Sequence, residues 1–368
     1  MKISCLKNDL LIGINIAMRA VPAKTTLQIL ESFLIDARED IRIITNDKDM
    51  GIETIIEGAV QERGKIAIDA RIFGEIVRKL PDNEVIIEAN DNYKVKIRCE
   101  DSEFTLNGRD PEEFPELPAI NEENKVSMSQ FTLKELIRQT IFSISMADTN
   151  IMMKGELFEV NGDTIKVVSL DSHRISIRKE KLNGIFGNFK VIVPGKTLNE
   201  ISRILEGDKE SFVEMSFDRN FVKFKFSKTE VISRLIDGEF FDVEQMISSD
   251  YETQVTVNKN LLLNSIDRAF TLTREGEKKP IVLNISADNM NVDINTSLGS
   301  MNSHFPIAKM GKDICIGFNP KFFIDVLKVI SGDDVDIFFV NSNAPCFIRD
   351  SEGSYIYIIL PVKLKDEY

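Results

Sequence analysis

The stretch Arg71-Ile72-Phe73-Gly74-Glu75-Ile76-Val77-Arg78-Lys79-Leu80 occurs, in altered form, three times along the chain. A step of 125 residues brings Lys196, Glu200, Ile201 and Arg203 beneath Arg71, Glu75, Ile76 and Arg78. A second step of 125 brings Lys321, Asp325, Val326 and Lys328. Each copy runs into an acidic turn (Pro81-Asp82, Gly207-Asp208, Gly332-Asp333) and then a strand-like run beginning near Val85, Phe212 and Val335. Two earlier columns keep the same offset: Leu11, Leu136 and Leu261, then Ile16, Ile141 and Ile266. Columns that share one offset imply repeated copies of one structural unit. A period of this length exceeds that of a solenoid repeat, so each copy is read as a whole small domain.

A chain of 368 residues accommodates two or three domains, and the repeat selects three. Gly108 to Asn124, with Pro111, Pro115 and Pro118 among five glutamates, reads as a boundary. A second boundary falls near Gly238 to Glu252, giving units 1–124, 125–252 and 253–368. In the first unit, Leu10 to Ala20 and Arg71 to Leu80 are expected to be amphipathic helices. The second should bury Ile72, Phe73, Ile76, Val77 and Leu80. Strands are expected at Ile41–Thr45, Gly51–Glu57, Val85–Ala89, Lys94–Arg98 and Phe104–Asn107. The alternation Lys94-Val95-Lys96-Ile97-Arg98 is that of a half-exposed antiparallel strand. Short strands with two helices per unit indicate α+β domains, helices packed on antiparallel sheet.

Composition excludes several classes. The four cysteines (Cys5, Cys99, Cys315, Cys346) are scattered, against a disulfide framework or zinc site and in favour of a reducing cytosol. Leu10-Leu11-Ile12-Gly13-Ile14 after Lys2 and Lys7 faintly resembles a signal peptide, but Asp9 and Asn15 interrupt it. No apolar run approaches the roughly 20 residues that span a bilayer. A net charge of −13 argues against tight nucleic-acid binding, so any DNA contact should be weak or localised. Asp171-Ser172-His173 contains triad residue types, but as neighbours in a strand they would point to opposite faces. Gly195-Lys196-Thr197 ends like a P-loop but has Lys190 where the first glycine belongs. Ser176-Ile177-Arg178-Lys179 fits SxxK but lies in a strand-like stretch without partner motifs. No catalytic constellation, cofactor motif or metal-ligand spacing emerges, and an enzyme is not expected.

Several segments carry a family likeness through their order and spacing. They are Met1-Lys2-Ile3, Leu27-Gln28-Ile29-Leu30, Phe114-Pro115, Asp171-Ser172-His173-Arg174, Val193-Pro194-Gly195-Lys196, Leu235-Ile236-Asp237-Gly238, Ile316-Gly317-Phe318-Asn319 and the ending Tyr357 to Leu364. Over essentially its whole length the chain resembles the beta sliding clamps, processivity factors of bacterial DNA polymerase III. The resemblance implies a cytoplasmic head-to-tail homodimer closed into a ring. Twelve helices would line a hole that threads duplex DNA, without reading its sequence. The DNA-facing residues would be Lys24, Arg71, Arg78, Lys79, Lys134, Arg138, Lys196, Arg203, Arg268, Lys321 and Lys328. On the same face, Glu75, Glu200 and Asp325 sit at helical spacing for ion pairs with the bases.

The resemblance further implies an apolar groove for short peptide motifs of the polymerase III alpha subunit, the clamp loader, other polymerases and repair proteins. Its wall would comprise Met153, Leu170, His173, Arg174, Ile175, Phe241, Met246, Asn319, Phe322, Ile359, Leu360, Pro361 and Val362. Phe104 and Leu272 align with apolar positions at the dimer contact. The chain departs from the family pattern at Asn150, at Phe241, across Lys24-Thr25-Thr26-Leu27-Gln28 and in the tail Lys365 to Tyr368. Two other readings are a specialised second clamp copy and a triplicated protein-binding adaptor that never encircles DNA.

Overall fold

The computed structural model describes residues 1–122, 124–145, 149–248, 250–274 and 279–364; the tail 365–368 lies outside the described residues. One order of elements recurs three times. It begins with β1 (Lys2–Leu6), α1 (Lys7–Ala17), β2 (Ser32–Ala37), β3 (Ile41–Asn46), β4 (Met50–Ile56), β5 (Ala59–Glu62), β6 (Gly64–Asp69), α2 (Ala70–Lys79), β7 (Glu84–Ala89), β8 (Lys94–Cys99) and β9 (Ser102–Asn107). The second pass has β10 (Asn124–Ser129), α3 (Gln130–Arg138), β11 (Gly155–Leu170), β12 (Arg174–Pro194), α4 (Gly195–Ile204), β13 (Phe212–Phe217), β14 (Phe221–Phe226) and β15 (Thr229–Arg234). Here β11 and β12 are long strands whose register breaks around Gly162, so each does the work of two shorter ones. The third pass has β16 (Thr253–Asn258), α5 (Lys259–Phe270), β17 (Ile281–Ser286), β18 (Asn289–Thr296), β19 (Gly299–Pro306), β20 (Ala308–Gly311), β21 (Ile314–Phe318), α6 (Pro320–Leu327), β22 (Asp334–Phe339), β23 (Cys346–Arg349) and β24 (Tyr355–Ile359).

The 125-residue offset holds for the second helix of each repeat, since α2, α4 and α6 begin at Ala70, Gly195 and Pro320. It fails for the first helix. The buried side chains of α1 are Leu10, Ile14 and Ala17, matched by Leu133, Ile137 and Thr140 and by Leu262, Ile266 and Ala269. The offsets there are 123 and 129, set by different lengths of chain before each helix. Leu11, Leu136 and Leu261 are therefore not equivalent: Leu136 is buried, Leu11 half-buried and Leu261 exposed. Ile141 lies in a 3-10 turn beyond α3. Ile72 also departs from expectation, at 52% exposure. The buried stripe of α2 is Ala70, Phe73, Gly74 and Val77, and Ile72 sits about 100° off it.

Local sequence explains the helix starts. The Asp69 carboxylate accepts from the Ile72 amide at 2.8 Å, while Arg78 and Lys79 close α2 at its negative end. Asn319 caps α6, with Pro320 in the first turn, where a missing N–H costs nothing.

The chain forms two compact units, Met1–Leu133 with Lys196–Leu235 and Lys134–Gly195 with Ile236–Tyr368. The first holds a sheet in the order β5-β1-β7-β8-β9 and an eight-stranded sheet β10-β13-β14-β15-β4-β3-β2-β6. The N-terminal strand and α1 are built into this unit, with Ile3, Leu10, Ile14, Phe33 and Phe73 in one core. The second holds β11-β12-β24-β23-β22-β16-β20 and β19-β18-β17-β21. Its largest core gathers Leu262, Ile266, Leu283, Phe318, Phe323 and Phe339. All recorded pairings between these strands are antiparallel.

One junction appears in both units. In the first, the third sheet strand of one repeat, β4, pairs with the last strand of the next, β15; Val231 faces Ile52 and Ile232 faces Gly51. In the second, the start of β12 pairs with β24; Tyr357 faces Ser176 and Ile358 faces Ile175. The third member of each set, β19 and β9, ends its sheet.

Glu156 on β11 is fully buried, and among the described residues neither carboxylate oxygen meets a hydrogen-bond partner at normal geometry. The neighbouring Thr140 hydroxyl donates instead to the Leu136 carbonyl at 2.6 Å. Burial pushes the Glu156 carboxyl well above the usual carboxylate range. The folded chain then holds a proton that the unfolded chain releases above about pH 4.3. Its contribution is full below that pH and declines as pH rises towards the folded value. Glu156→Gln should remove this dependence. In urea unfolding, the stability advantage of the variant should widen from pH 5 to 8, by at most about 1.4 kcal/mol per pH unit. A gap that stays flat with pH would contradict the assignment.

Candidate functional site

The second unit carries an apolar groove at the turn between β11 and β12. Asp171, Ser172 and His173 form that turn rather than a strand. The Asp171 carboxylate accepts from the His173 amide at 2.8 Å and the Arg174 amide at 3.0 Å, a side-chain-stapled turn. The strand expected for these neighbours is thus corrected to a turn, and the Asp171 carboxylate is committed to that turn and to Arg174. Beneath the turn, Leu170, Ile175, Ile177, Ile356 and Ile358 form an apolar layer, with Met153 and Phe241 packed against it. The Leu360 amide donates to the His173 carbonyl at 2.9 Å, fastening the end of β24 to the turn.

The resulting cavity, about 450 Å³, is lined by Met153, Leu170, Asp171, Ser172, His173, Arg174, Ile175, Phe241, Met246, Pro345, Ile358 and Leu360. Met246 and Leu360, two of its large apolar side chains, are 51% and 40% exposed. The groove thus offers apolar area with a few polar groups at one end, the composition of a peptide or ligand cleft.

Eight of the thirteen wall residues expected from sequence line this cavity. Phe322 stands at its edge, its ring 6.0 Å from that of His173. Asn319 is engaged as the cap of α6. Ile359 is a correction: it is fully buried in the core of the last repeat, with Tyr357. Adjacent residues of β24 face opposite ways, so Ile358, not Ile359, reaches the groove. Pro361 and Val362 have left the strand, and the Val362 amide donates to the Gly317 carbonyl at 2.8 Å. Pro345 was missed, and nothing in the loop before β23 signals it.

Arg174 is the charged centre of the site and is only 8% exposed. Its Nε donates to Asp171 Oδ2 at 3.0 Å and its Nη1 to Asp325 Oδ2 at 2.7 Å. Nη2 donates to the Phe142 carbonyl, and the guanidinium lies 4.6 Å from the Phe322 ring centre and 5.4 Å from that of Phe142. Burial of a cation is tolerable only with such compensation.

The expected DNA-facing residues lie on or beside the helices, and all but the half-buried Lys134 are exposed. Arg78 pairs with Glu75, Arg203 with Glu200 at 2.9 Å and Arg138 with Glu135 at 2.7 Å. Lys196 reaches Asp47, Arg71 donates to the Ala23 carbonyl at 3.2 Å and Arg268 to Ser265 at 3.1 Å. Lys24, Lys79, Lys321 and Lys328 extend into solvent. The carboxylate column pairs within its own helix at Glu75 and Glu200 as expected, but Asp325 turns to Arg174 instead. Gly195 opens α4 where a Cβ would stand 2.2 Å from the tip of the Ile144 side chain and 3.1 Å from the Lys154 carbonyl, a crowded passage at the residue that suggested a P-loop.

Phe104 is 39% exposed on the edge strand β9, and Leu272 is half-buried against the core just beyond α5. Of the departures from the family pattern, Asn150 accepts from the Met152 amide at 3.0 Å. Phe241 stacks edge-on against Phe240 at 6.1 Å while lining the groove. No helix among the described residues is long and apolar enough to cross a membrane.

Three family models match in sequence order: the N-terminal, central and C-terminal domains of the DNA polymerase III beta subunit, over residues 1–118, 127–242 and 244–363. The beta sliding clamp of Bacillus subtilis is 33% identical over 377 aligned positions, covering 99% of this chain and all of that one. Its crystal structure superposes with a TM-score of 0.96. A crystal structure of a DNA polymerase III beta subunit from Eubacterium rectale is 52% identical, covering 98% of this chain and 99% of that one, with a TM-score of 0.96. Three repeated domains of two helices each, matched end to end, place the chain in the DNA polymerase III beta subunit family: it is a beta sliding clamp, a non-catalytic processivity factor of DNA replication.

Proposed function

We propose that two copies close head to tail into a ring around duplex DNA, and that the groove of the second unit tethers the polymerase to it. The observation that carries the ring is the junction made twice within the chain and left open a third time. In each closed case the third residue of a last strand, Val231 or Tyr357, is buried opposite Ile52 or Ser176. The corresponding residue of β9 is Phe104, and the corresponding position on β19 is Met301. The same register in trans pairs Phe104 with Met301 and Thr105 with Ser300, and it buries an aromatic side chain now partly in water. A head-to-tail contact of this kind either closes or polymerises; two copies give six repeats and closure. Ile72 of α2 and Phe270 at the end of α5, both exposed apolar residues, add to the same seam.

Duplex DNA occupies the ring without being gripped. Arg78, Arg138, Lys196 and Arg203 are already paired with carboxylates, which suits a net charge of −13. Lys24, Arg71, Arg78, Lys79, Lys134, Arg138, Lys196, Arg203, Arg268, Lys321 and Lys328 meet phosphates loosely and carry no sequence information. The groove takes short peptide segments with aliphatic and aromatic anchors, from the polymerase III alpha subunit, the clamp loader and other polymerases and repair proteins. The ring works in the bacterial cytoplasm.

Retention should be topological: a ring loaded on a nicked circle stays, and leaves once the circle is cut. Equal loss from circular and linear DNA would mean ordinary binding. Single Lys or Arg changes on the helices should weaken free DNA affinity only slightly, with a shallow salt slope. Leu272→Ala should raise the monomer fraction at nanomolar concentration in analytical ultracentrifugation, since the seam would complete the burial of this half-buried side chain and truncating a leucine buried there costs about 2–5 kcal/mol. An unchanged dimer constant would remove Leu272 from the seam. Leu360→Ala should weaken a polymerase-derived peptide about tenfold in a fluorescence titration, at the low end of the roughly 1.5–3 kcal/mol for burying a leucine. A folded, dimeric variant with wild-type affinity would place the groove elsewhere.

A further inference from the structure

The repeat column Glu75, Glu200, Asp325 is broken in its third member in a way that connects two parts of the molecule. Glu75 and Glu200 each pair with the base three residues on, Arg78 and Arg203. Asp325 occupies the same place on α6 and has Lys328 at the same spacing, yet its carboxylate accepts from Arg174 Nη1 at 2.7 Å. We infer that Asp325 is a positioning residue of the groove: it touches no peptide itself, but holds the Arg174 guanidinium at the polar end where a peptide is received. The inference rests on the groove reading above.

The geometry carries the argument. Arg174 lines the cavity, whereas Asp325 does not. The guanidinium is fixed along its edge by Asp171, Asp325 and the Phe142 carbonyl, and on its faces by Phe142 and Phe322. Asp171 belongs to the same turn as Arg174 and moves with it. Asp325 comes from a helix 151 residues away in sequence, so it ties the turn to α6. Without it, one donor edge of a nearly buried cation loses its charged acceptor, and the side chain is free to swing towards water. The groove then loses a pre-set donor, and a peptide must order it on binding.

The test is a double-mutant cycle read by peptide affinity. A short fluorescent peptide with one aliphatic and one aromatic anchor is titrated against wild type, Asp325→Asn, Arg174→Ala, the double variant and Leu360→Ala. Asp325→Asn should bind about tenfold more weakly, the scale of a lost charged hydrogen bond. Arg174→Ala should lose at least as much, and the double variant should be no weaker than Arg174→Ala alone. The Arg174 Nε–H resonance should shift or broaden in Asp325→Asn, and Asp325→Glu, which keeps the charge should Asn fail to fold, should recover most of the affinity. Wild-type affinity in Asp325→Asn, or losses that add in the double variant, would overturn the proposal. If wild type itself binds no peptide, and Leu360→Ala is indistinguishable from it, the groove reading falls and the positioning role with it.

Discussion

Everything distinctive about this chain depends on one antiparallel strand contact, made by the third sheet strand of a repeat with the last strand of the next. It merges sheets that would otherwise end in exposed edges, the usual liability of antiparallel structure. In the first unit it builds a continuous eight-stranded sheet, locked at one point by the buried hydroxyls of Thr54 and Thr229 at 2.9 Å. In the second it brings β24 against β12, and so places Ile358 and Leu360 beside Leu170 and Ile175. The groove is thus a by-product of the junction: its floor is a strand pair that the repeat would make in any case.

The same economy explains the charge pattern. An acidic protein can surround a polyanion when its bases are local, partly neutralised and not required to grip. In the proposed ring, the pairing of Glu75 and Glu200 with Arg78 and Arg203 would soften the positive field of the helices rather than leave a tight phosphate site. Asp325 departs from this role and serves Arg174, which leaves Lys321 and Lys328 without that carboxylate. The third repeat therefore commits this carboxylate to the ordered cation of the groove.

Much of this was legible in the residues, for identifiable reasons. The second-helix columns, from Arg71 to Lys321, survive because α2, α4 and α6 begin at a constant spacing of 125 residues. The first-helix columns misled because the segments before α3 and α5 differ in length, and leucine recurs often enough to match by accident. Ile358 could not be told from Ile359, since Tyr355-Ile356-Tyr357-Ile358-Ile359-Leu360 is apolar throughout and alternation carries no information there. The Arg174–Asp325 pair was beyond reach because nothing local records a contact across 151 residues. Glu156 gave no signal either, as an isolated buried carboxyl looks in sequence like any strand glutamate.

The central claim is that the junction seen twice within the chain is made a third time between copies, in the same register. Cysteines at Phe104 and Met301, in a background where the exposed Cys315 is serine, test it directly, because a disulfide forms only when two Cα atoms lie within about 7 Å. Mild oxidation of the dilute protein should give a covalent, closed dimer joined at both seams, while a pair moved two residues along β19, at Ser303, should cross-link poorly. A protein that stays monomeric, or that cross-links better through the displaced pair, would contradict the account.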